Sequence, residues 1–163
     1  MLALVVLLSA CVVVGSSTAA VALEPRAAPA APLFAWVPAG GFPDRFPFGQ
    51  CTWCVAFNRR VTWGGNAADW LVNAAAQGVA ISATPSVGAI VAYRPGGLYS
   101  DLGHVAVVVA RTSATYTVSE MNAVGWGRVS LRTVAWPDSA AEGFIPLDRS
   151  ESVQPPSLRP RSH

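Results

Sequence analysis

The spacing of apolar positions changes twice along this chain, and each change marks a boundary. Leu2 to Val14 is almost uninterruptedly apolar and gives way to a small, polar stretch from Gly15 to Thr18 and then to Ala20-Val21-Ala22. From Leu23 to Phe48 prolines recur at positions 25, 29, 32, 38, 43 and 47, which forbids a long helix. Helical spacing then takes over. The stretch from Cys51 to Arg60 has no breaker, and Ala67, Trp70, Leu71, Ala74 and Ala75 fall on one helical face behind a capping Asn66, with Asp69 in the first turn and Gly78 as terminator. After Gly88 the runs become strand-like. Ala89 to Tyr93, His104 to Arg111, Thr115 to Asn122, Val129 to Val134 and Gly143 to Pro146 are short, rich in Val, Ile, Thr and Tyr, and separated by turn residues. Helices followed by an antiparallel meander predict an α+β fold.

These boundaries suggest four segments: residues 1–22 as a signal or membrane-targeting segment, 23–45 as a Pro/Ala-rich linker, 46–147 as the working domain, and 148–163 as a polar, Pro-interrupted tail expected to be disordered. The apolar run followed by small residues reads as the core and cleavage region of a secretory signal. Two other readings stay open. Leu8-Ser9-Ala10-Cys11 resembles a lipobox, which would lipidate Cys11, and an uncleaved anchor would need about 20 apolar residues where this run breaks at Gly15. All three place the domain outside the cytoplasm, with membrane contact only through this N-terminal segment.

A chain of 163 residues with such flanks holds one compact domain, and a monomer is expected. Lysine is absent, so all eleven basic residues are arginine, and the net charge is +2. That balance is too small and too scattered for a nucleic-acid binder. It is compatible with an anionic surface such as a bacterial cell wall.

The candidate chemistry lies in three short segments, Gly49-Gln50-Cys51-Thr52-Trp53, Gly103-His104-Val105 and Glu120-Met121-Asn122. Together they supply a thiol, an imidazole, a carboxylate and an amide, the inventory of a cysteine hydrolase. A cysteine opening a helix gains thiolate character from the helix dipole and free N–H groups. Its own N–H can contribute to an oxyanion hole. His104 is the only histidine within the domain, since the other is His163 in the tail. Strand alternation sends Tyr116, Val118, Glu120 and, if the strand continues, Asn122 to one face, and sends His104 to a face with Ala106, Val108 and Ala110. A two-residue hairpin loop of Thr112 and Ser113 would set His104 and Glu120 on opposite faces. A catalytic pairing therefore demands an odd-length loop, such as a three-residue one through Ala114 that pairs 104 with 122 and 106 with 120, or a bulge.

Each of these residues also has a plain structural reading. A lone cysteine is usually a small buried hydrophobe, a histidine opening a strand is usually a surface or packing residue, and an asparagine at a strand end is usually turn chemistry. Glu120 is harder to dismiss, because an unpaired buried carboxylate costs several kcal/mol. Cys51-Thr52-Trp53-Cys54 also admits a disulfide or redox dithiol, although no strand precedes it as a thioredoxin-like motif would want. A zinc site from Cys51, Cys54 and His104 would lack a second cysteine pair.

Five motifs in order, Phe46-Pro47-Phe48-Gly49-Gln50-Cys51-Thr52-Trp53-Cys54-Val55-Ala56, Trp63-Gly64-Gly65-Asn66-Ala67, Thr84-Pro85-Ser86-Val87-Gly88-Ala89, Gly103-His104-Val105-Ala106 and Ser119-Glu120-Met121-Asn122, resemble the CHAP domain, named for cysteine, histidine-dependent amidohydrolase/peptidase. The resemblance implies a papain-like α+β fold and a peptidoglycan hydrolase, either an N-acetylmuramoyl-L-alanine amidase or an endopeptidase. It makes Cys51 the nucleophile, His104 the base, Glu120 and Asn122 the residues orienting the imidazole, and Gln50 a contributor to the oxyanion site. No cofactor is implied. Some phage members bind calcium through an Asp-rich loop before the cysteine; here that approach offers only Asp44, so no metal is expected. Cys54 departs from the family pattern, where an aromatic residue is usual, and a reversible disulfide with Cys51 would make activity redox-sensitive. The rival readings are a non-catalytic wall-binding module of the same fold and a thiol-disulfide oxidoreductase.

Overall fold

A computed structural model describes residues 40–42, 44–148 and 151. The segment 1–22 with Cys11, most of the linker 23–45 and most of the tail 148–163 lie outside the described residues.

The breaker-free segment after Gln50 forms helix α1, Cys51–Asn58, so Cys51 is its first residue. The second periodic segment opens with a 3₁₀ turn, Ala67–Asp69, and continues as α2, Trp70–Ala76. Asn66 starts it, its backbone N–H donating to the Asp69 carboxylate at 3.0 Å. Gly78 ends it in the left-handed region (φ 78°), and the Val79 N–H returns to the Ala74 carbonyl at 3.1 Å.

Five strands follow: β1 (Ile90–Tyr93), β2 (His104–Arg111), β3 (Thr115–Met121), β4 (Val129–Ala135) and β5 (Ala141–Ile145). They form one antiparallel sheet in the order β4-β3-β2-β1-β5. Its two faces bury different cores. One face sets Ile90, Ala92, Val105, Val107 and Ile145 against the helices, with Trp63 and Trp70 packed between; each large side chain removed from water there contributes roughly 1.5–3 kcal/mol. The other face sets Val91, Tyr93, Ala106, Val108, Tyr116, Val118 and Phe144 beneath Tyr99 and Trp136. Antiparallel strands feeding from helices packed on one face give the papain-like α+β arrangement that the sequence motifs implied.

Contacts reach past both ends of the 46–147 span. The Phe42 N–H donates to the Phe57 carbonyl at 3.2 Å. At the other end Arg59, 2% exposed, pairs with the Glu151 carboxylate at 2.6 Å. Arg59 also donates to the carbonyls of Gly88 and Pro146. A buried guanidinium so surrounded fastens the end of α1 to the segments flanking β1 and β5.

The β2–β3 hairpin settles the register on which the site depends. Its tip is a two-residue turn, Ser113-Ala114, closed by the Thr112 N–H donating to the Thr115 carbonyl at 2.9 Å. Arg111 then faces Tyr116 and Ala110 faces Thr117. Continued unbroken, that register would put Ala106 opposite Met121 and turn Glu120 away from His104. Instead it shifts between Val108 and Ala110, leaving Val109 as a bulge, and resumes with Val108 opposite Val118 and Val107 opposite Ser119. That one-residue shift is what brings Ala106 opposite Glu120. Of the two devices the sequence allowed, the bulge is the one used.

Candidate active site

The site forms where the first residue of α1, the first residue of β2 and the end of β3 converge. Gly103 makes the approach possible. It adopts φ 74°, and a Cβ there would stand 2.7 Å from the Ala68 backbone nitrogen, so only glycine lets β2 begin against the 3₁₀ turn. Gly49, φ 92°, leads into α1 with Trp126 packed against the space a side chain would fill.

His104 and Glu120 meet in the protein interior, 6% and 1% exposed. Imidazole Nε2 lies 3.0 Å from Glu120 Oε2. The same carboxylate accepts from Arg132 on β4, Nε to Oε1 at 2.8 Å and Nη2 to Oε2 at 3.1 Å. Burial pushes the Glu120 carboxyl up, but His104 and Arg132 outweigh it and hold it near 2. Burial likewise opposes charge on His104, yet Cys51 and Glu120 raise it to about 9. For Cys51, burial favours the thiol; the His104 imidazole and the N–H groups of Val105 and Thr52 overcome that and leave it below its ordinary value. The arrangement favours a thiolate beside an imidazolium.

Asn122 sits differently. β3 ends at Met121, one residue earlier than the alternation suggested, because Asn122 adopts φ 68° and turns the chain. The left-handed region tolerates asparagine better than most residues. Its Nδ2 donates to Gln50 Oε1 at 3.2 Å. Its described side-chain contact is thus with the residue before the thiol, whereas the Glu120 carboxylate is the one on the imidazole.

Cys51, His104, Gln50 and Asn122 line one cleft of about 440 Å³, with Phe46, Tyr99 and Leu102 among its other walls. Cys54, one turn further along α1, is 4% exposed and does not line this cleft. Both thiols are free. Burial pushes the Cys54 thiol up and the neighbouring Cys51 and Asp44 add to it, while a contact from Asn58 Nδ2 at 3.8 Å opposes. Among the described residues no cluster of three His, Cys, Asp or Glu side chains could hold a metal ion.

Two residues of the site were not singled out from sequence. Arg132 grips Glu120, and the Tyr99 ring lies parallel to the His104 ring, 4.8 Å between centroids and 5° between planes. One signal for Arg132 was available: in the run from Val129 to Val134 it alternates with Ser130 and Val134 on one face. Finding it required knowing that this face is the inner one. The apolar Val129 and Leu131 argue the opposite, and they are in fact 57% and 70% exposed.

A helix opening on a cysteine, laid against an antiparallel sheet whose second strand opens on a histidine, is a papain-like α+β architecture. The CHAP domain family model matches residues 41–122, which contain Cys51, His104 and Glu120. This chain belongs to the CHAP domain family. Among its relatives, the "Probable autolysin LDP" of Staphylococcus aureus is 38% identical over 100 residues, covering 56% of this chain and 34% of that protein. The "Staphylococcal secretory antigen ssaA2" of the same species is 38% identical over 104 residues, covering 60% of this chain and 37% of that protein. A solved "N-acetylmuramoyl-L-alanine Amidase from Staphylococcus aureus" aligns at 34% identity and a TM-score of 0.49, covering 54% of this chain and 27% of that one. The chain thus spans about a third of the length of the named relatives.

Proposed function

We propose that this chain is an exported peptidoglycan hydrolase that cleaves a cell-wall amide bond, the muramoyl–L-alanine link or a bond within the peptides, with Cys51 as nucleophile. The observation that carries the reading is the line Cys51–His104–Glu120 at the cleft, a buried acid–base pair beside a thiol whose proton affinity is lowered. Membership of the CHAP domain family and relatives named as an autolysin and a secretory antigen support both the substrate class and the export.

With Nε2 engaged by Glu120, the other ring nitrogen, Nδ1, serves Cys51. The thiolate attacks the amide carbonyl carbon to form a tetrahedral intermediate. The Cys51 N–H and the Gln50 side-chain amide, oriented by its contact with Asn122, donate to the oxyanion. The imidazolium then protonates the departing amine as the C–N bond breaks, leaving a thioester. Water, deprotonated by the now neutral imidazole, attacks that thioester and releases the carboxylate product and the thiol. Glu120 stays ionised throughout, fixing the ring and stabilising the imidazolium.

The test is incubation of the purified chain with isolated cell walls, followed by mass spectrometry of the released fragments. A new amine and carboxylate at one amide position, absent with Cys51→Ala, is expected. Wall binding without release would point instead to a non-catalytic module, and equal lysis by Cys51→Ala would refute the nucleophile.

A further inference from the structure

We infer that Arg132, braced by Tyr99, is a positioning residue for the Glu120–His104 pair, so that the site extends to β4 and beyond the span matched by the family model. The inference rests on the reading of Cys51 and His104 as the reacting pair.

The geometry is that of a clamp. Arg132, on β4 opposite Val118 of β3, reaches Glu120 with two nitrogens, so that Oε1 accepts from Arg132 and Oε2 is shared between Arg132 and His104. The guanidinium is itself located on two further sides. Its Nη2 donates to the Tyr99 hydroxyl at 2.6 Å, and its plane carbon lies 5.2 Å and 5.8 Å from the ring centroids of Tyr93 and Tyr99. Tyr99 in turn covers the imidazole with its face. One tyrosine therefore touches the base directly and also the residue that grips the acid. A bidentate guanidinium fixes both the position and the plane of a carboxylate, and a carboxylate fixed in plane fixes the imidazole that shares its oxygen.

Removing the guanidinium would leave Oε1 of a 1% exposed carboxylate without its donor. Glu120 would then either hold a proton more readily or rotate away, and each response withdraws the anion that supports the imidazolium. The thiolate of Cys51 is the group that would register the loss. The charged or titratable groups around the pair are Cys51 from α1, Tyr93 from β1, Tyr116 from β3, Arg132 from β4, and Tyr99 and Asp138 from the connecting segments. Tyr93 and the Asp138-bonded Tyr116 are held neutral by burial, so the charges next to His104 are Glu120, Arg132 and the Cys51 thiolate that the experiment reads.

The experiment is the pH dependence of Cys51 alkylation by iodoacetamide, read by peptide mass spectrometry, in the wild type, Arg132→Met, Arg132→Lys and Tyr99→Phe, each checked for folding by circular dichroism. Arg132→Met is expected to move the midpoint for Cys51 upward by about one pH unit, toward a free thiol. Arg132→Lys should lie between it and the wild type, because a lysine keeps the charge but loses the fork. Tyr99→Phe keeps the ring stack and should shift the midpoint by less, in the same direction. On cell walls, Arg132→Met should lower kcat about tenfold with KM little changed. Folded Arg132→Met with the wild-type alkylation profile would overturn the inference and leave Arg132 as a strut. If Arg132→Met does not fold, wild-type profiles in both Arg132→Lys and Tyr99→Phe overturn it, and shifted ones support it. Alkylation needs no wall substrate, so a failure of the hydrolase reading would show as absent turnover in the wild type while the clamp is still tested.

Discussion

Cys51 and Cys54 lie one turn apart on the same short helix, both buried, yet their surroundings act on their thiols in opposite directions. Burial penalises the thiolate in each. At Cys51 the His104 imidazole, the Val105 N–H from β2 and the Thr52 N–H at the helix start reverse that penalty. At Cys54 the Asn58 amide offsets only part of the penalty, and the thiolate character of Cys51 and the carboxylate of Asp44 add to the cost. A cysteine's reactivity is therefore set by which neighbours arrive from elsewhere in the chain more than by its helix or its burial. The imidazole that matters comes from the start of β2, fifty-three residues downstream in the sequence.

The widest test of this contrast is replacement. Cys51→Ala should abolish release of wall fragments, a loss of at least about 10³-fold, with the thermal transition little changed. Glu120→Gln keeps the shape but removes the charge that holds the imidazolium; initial rates on walls should fall on the order of 10²-fold. At pH 6.5, limited iodoacetamide treatment should label Cys51 at least about ten times faster than Cys54, read from tryptic or chymotryptic peptides; equal labelling would erase the contrast. Cys54→Ala should stay within about twofold of the parent in activity. If a reversible Cys51–Cys54 disulfide regulates the enzyme, that variant should also lose any sensitivity to a thiol oxidant.

The dependence on pH sharpens the same picture. His104 is raised from 6.5 to about 9 in the folded protein, so its contribution to stability is complete below pH 6.5 and is lost as pH rises through about 9. Glu120 is lowered from 4.5 to about 2, so its contribution is complete above pH 4.5 and is lost as pH falls through about 2. Thermal melts should therefore show the largest gap between wild type and Glu120→Gln between pH 4.5 and 6.5. Under the proposed mechanism, hydrolysis should decline on the alkaline side near pH 9, where the imidazolium needed to protonate the leaving amine would be lost.

Much of this was legible in the order of residues. Cys51 opening a breaker-free segment, Asn66 and Gly78 bounding a second, and the strand-like runs after Gly88 each report a local preference, and local preferences survive into the fold. The family itself is carried by short contiguous motifs. β4 was the exception to easy reading, since its apolar Val129 and Leu131 face out while Arg132 faces in. Alternation gives the two faces of a strand but not which one is buried, and that depends on the partner strand.

By itself, then, the sequence determined the chemical inventory, the helix that presents Cys51, and the condition that His104 and Glu120 can meet only through an odd loop or a bulge. Only the tertiary structure decided that Val109 is the bulged residue, that Asn122 turns toward Gln50, and that Arg132 and Tyr99 close around the acid–base pair. The physical reason is that register and burial belong to pairs of strands. A one-residue shift at Val109 changes no local preference, yet it reverses which side chains face each other across the hairpin.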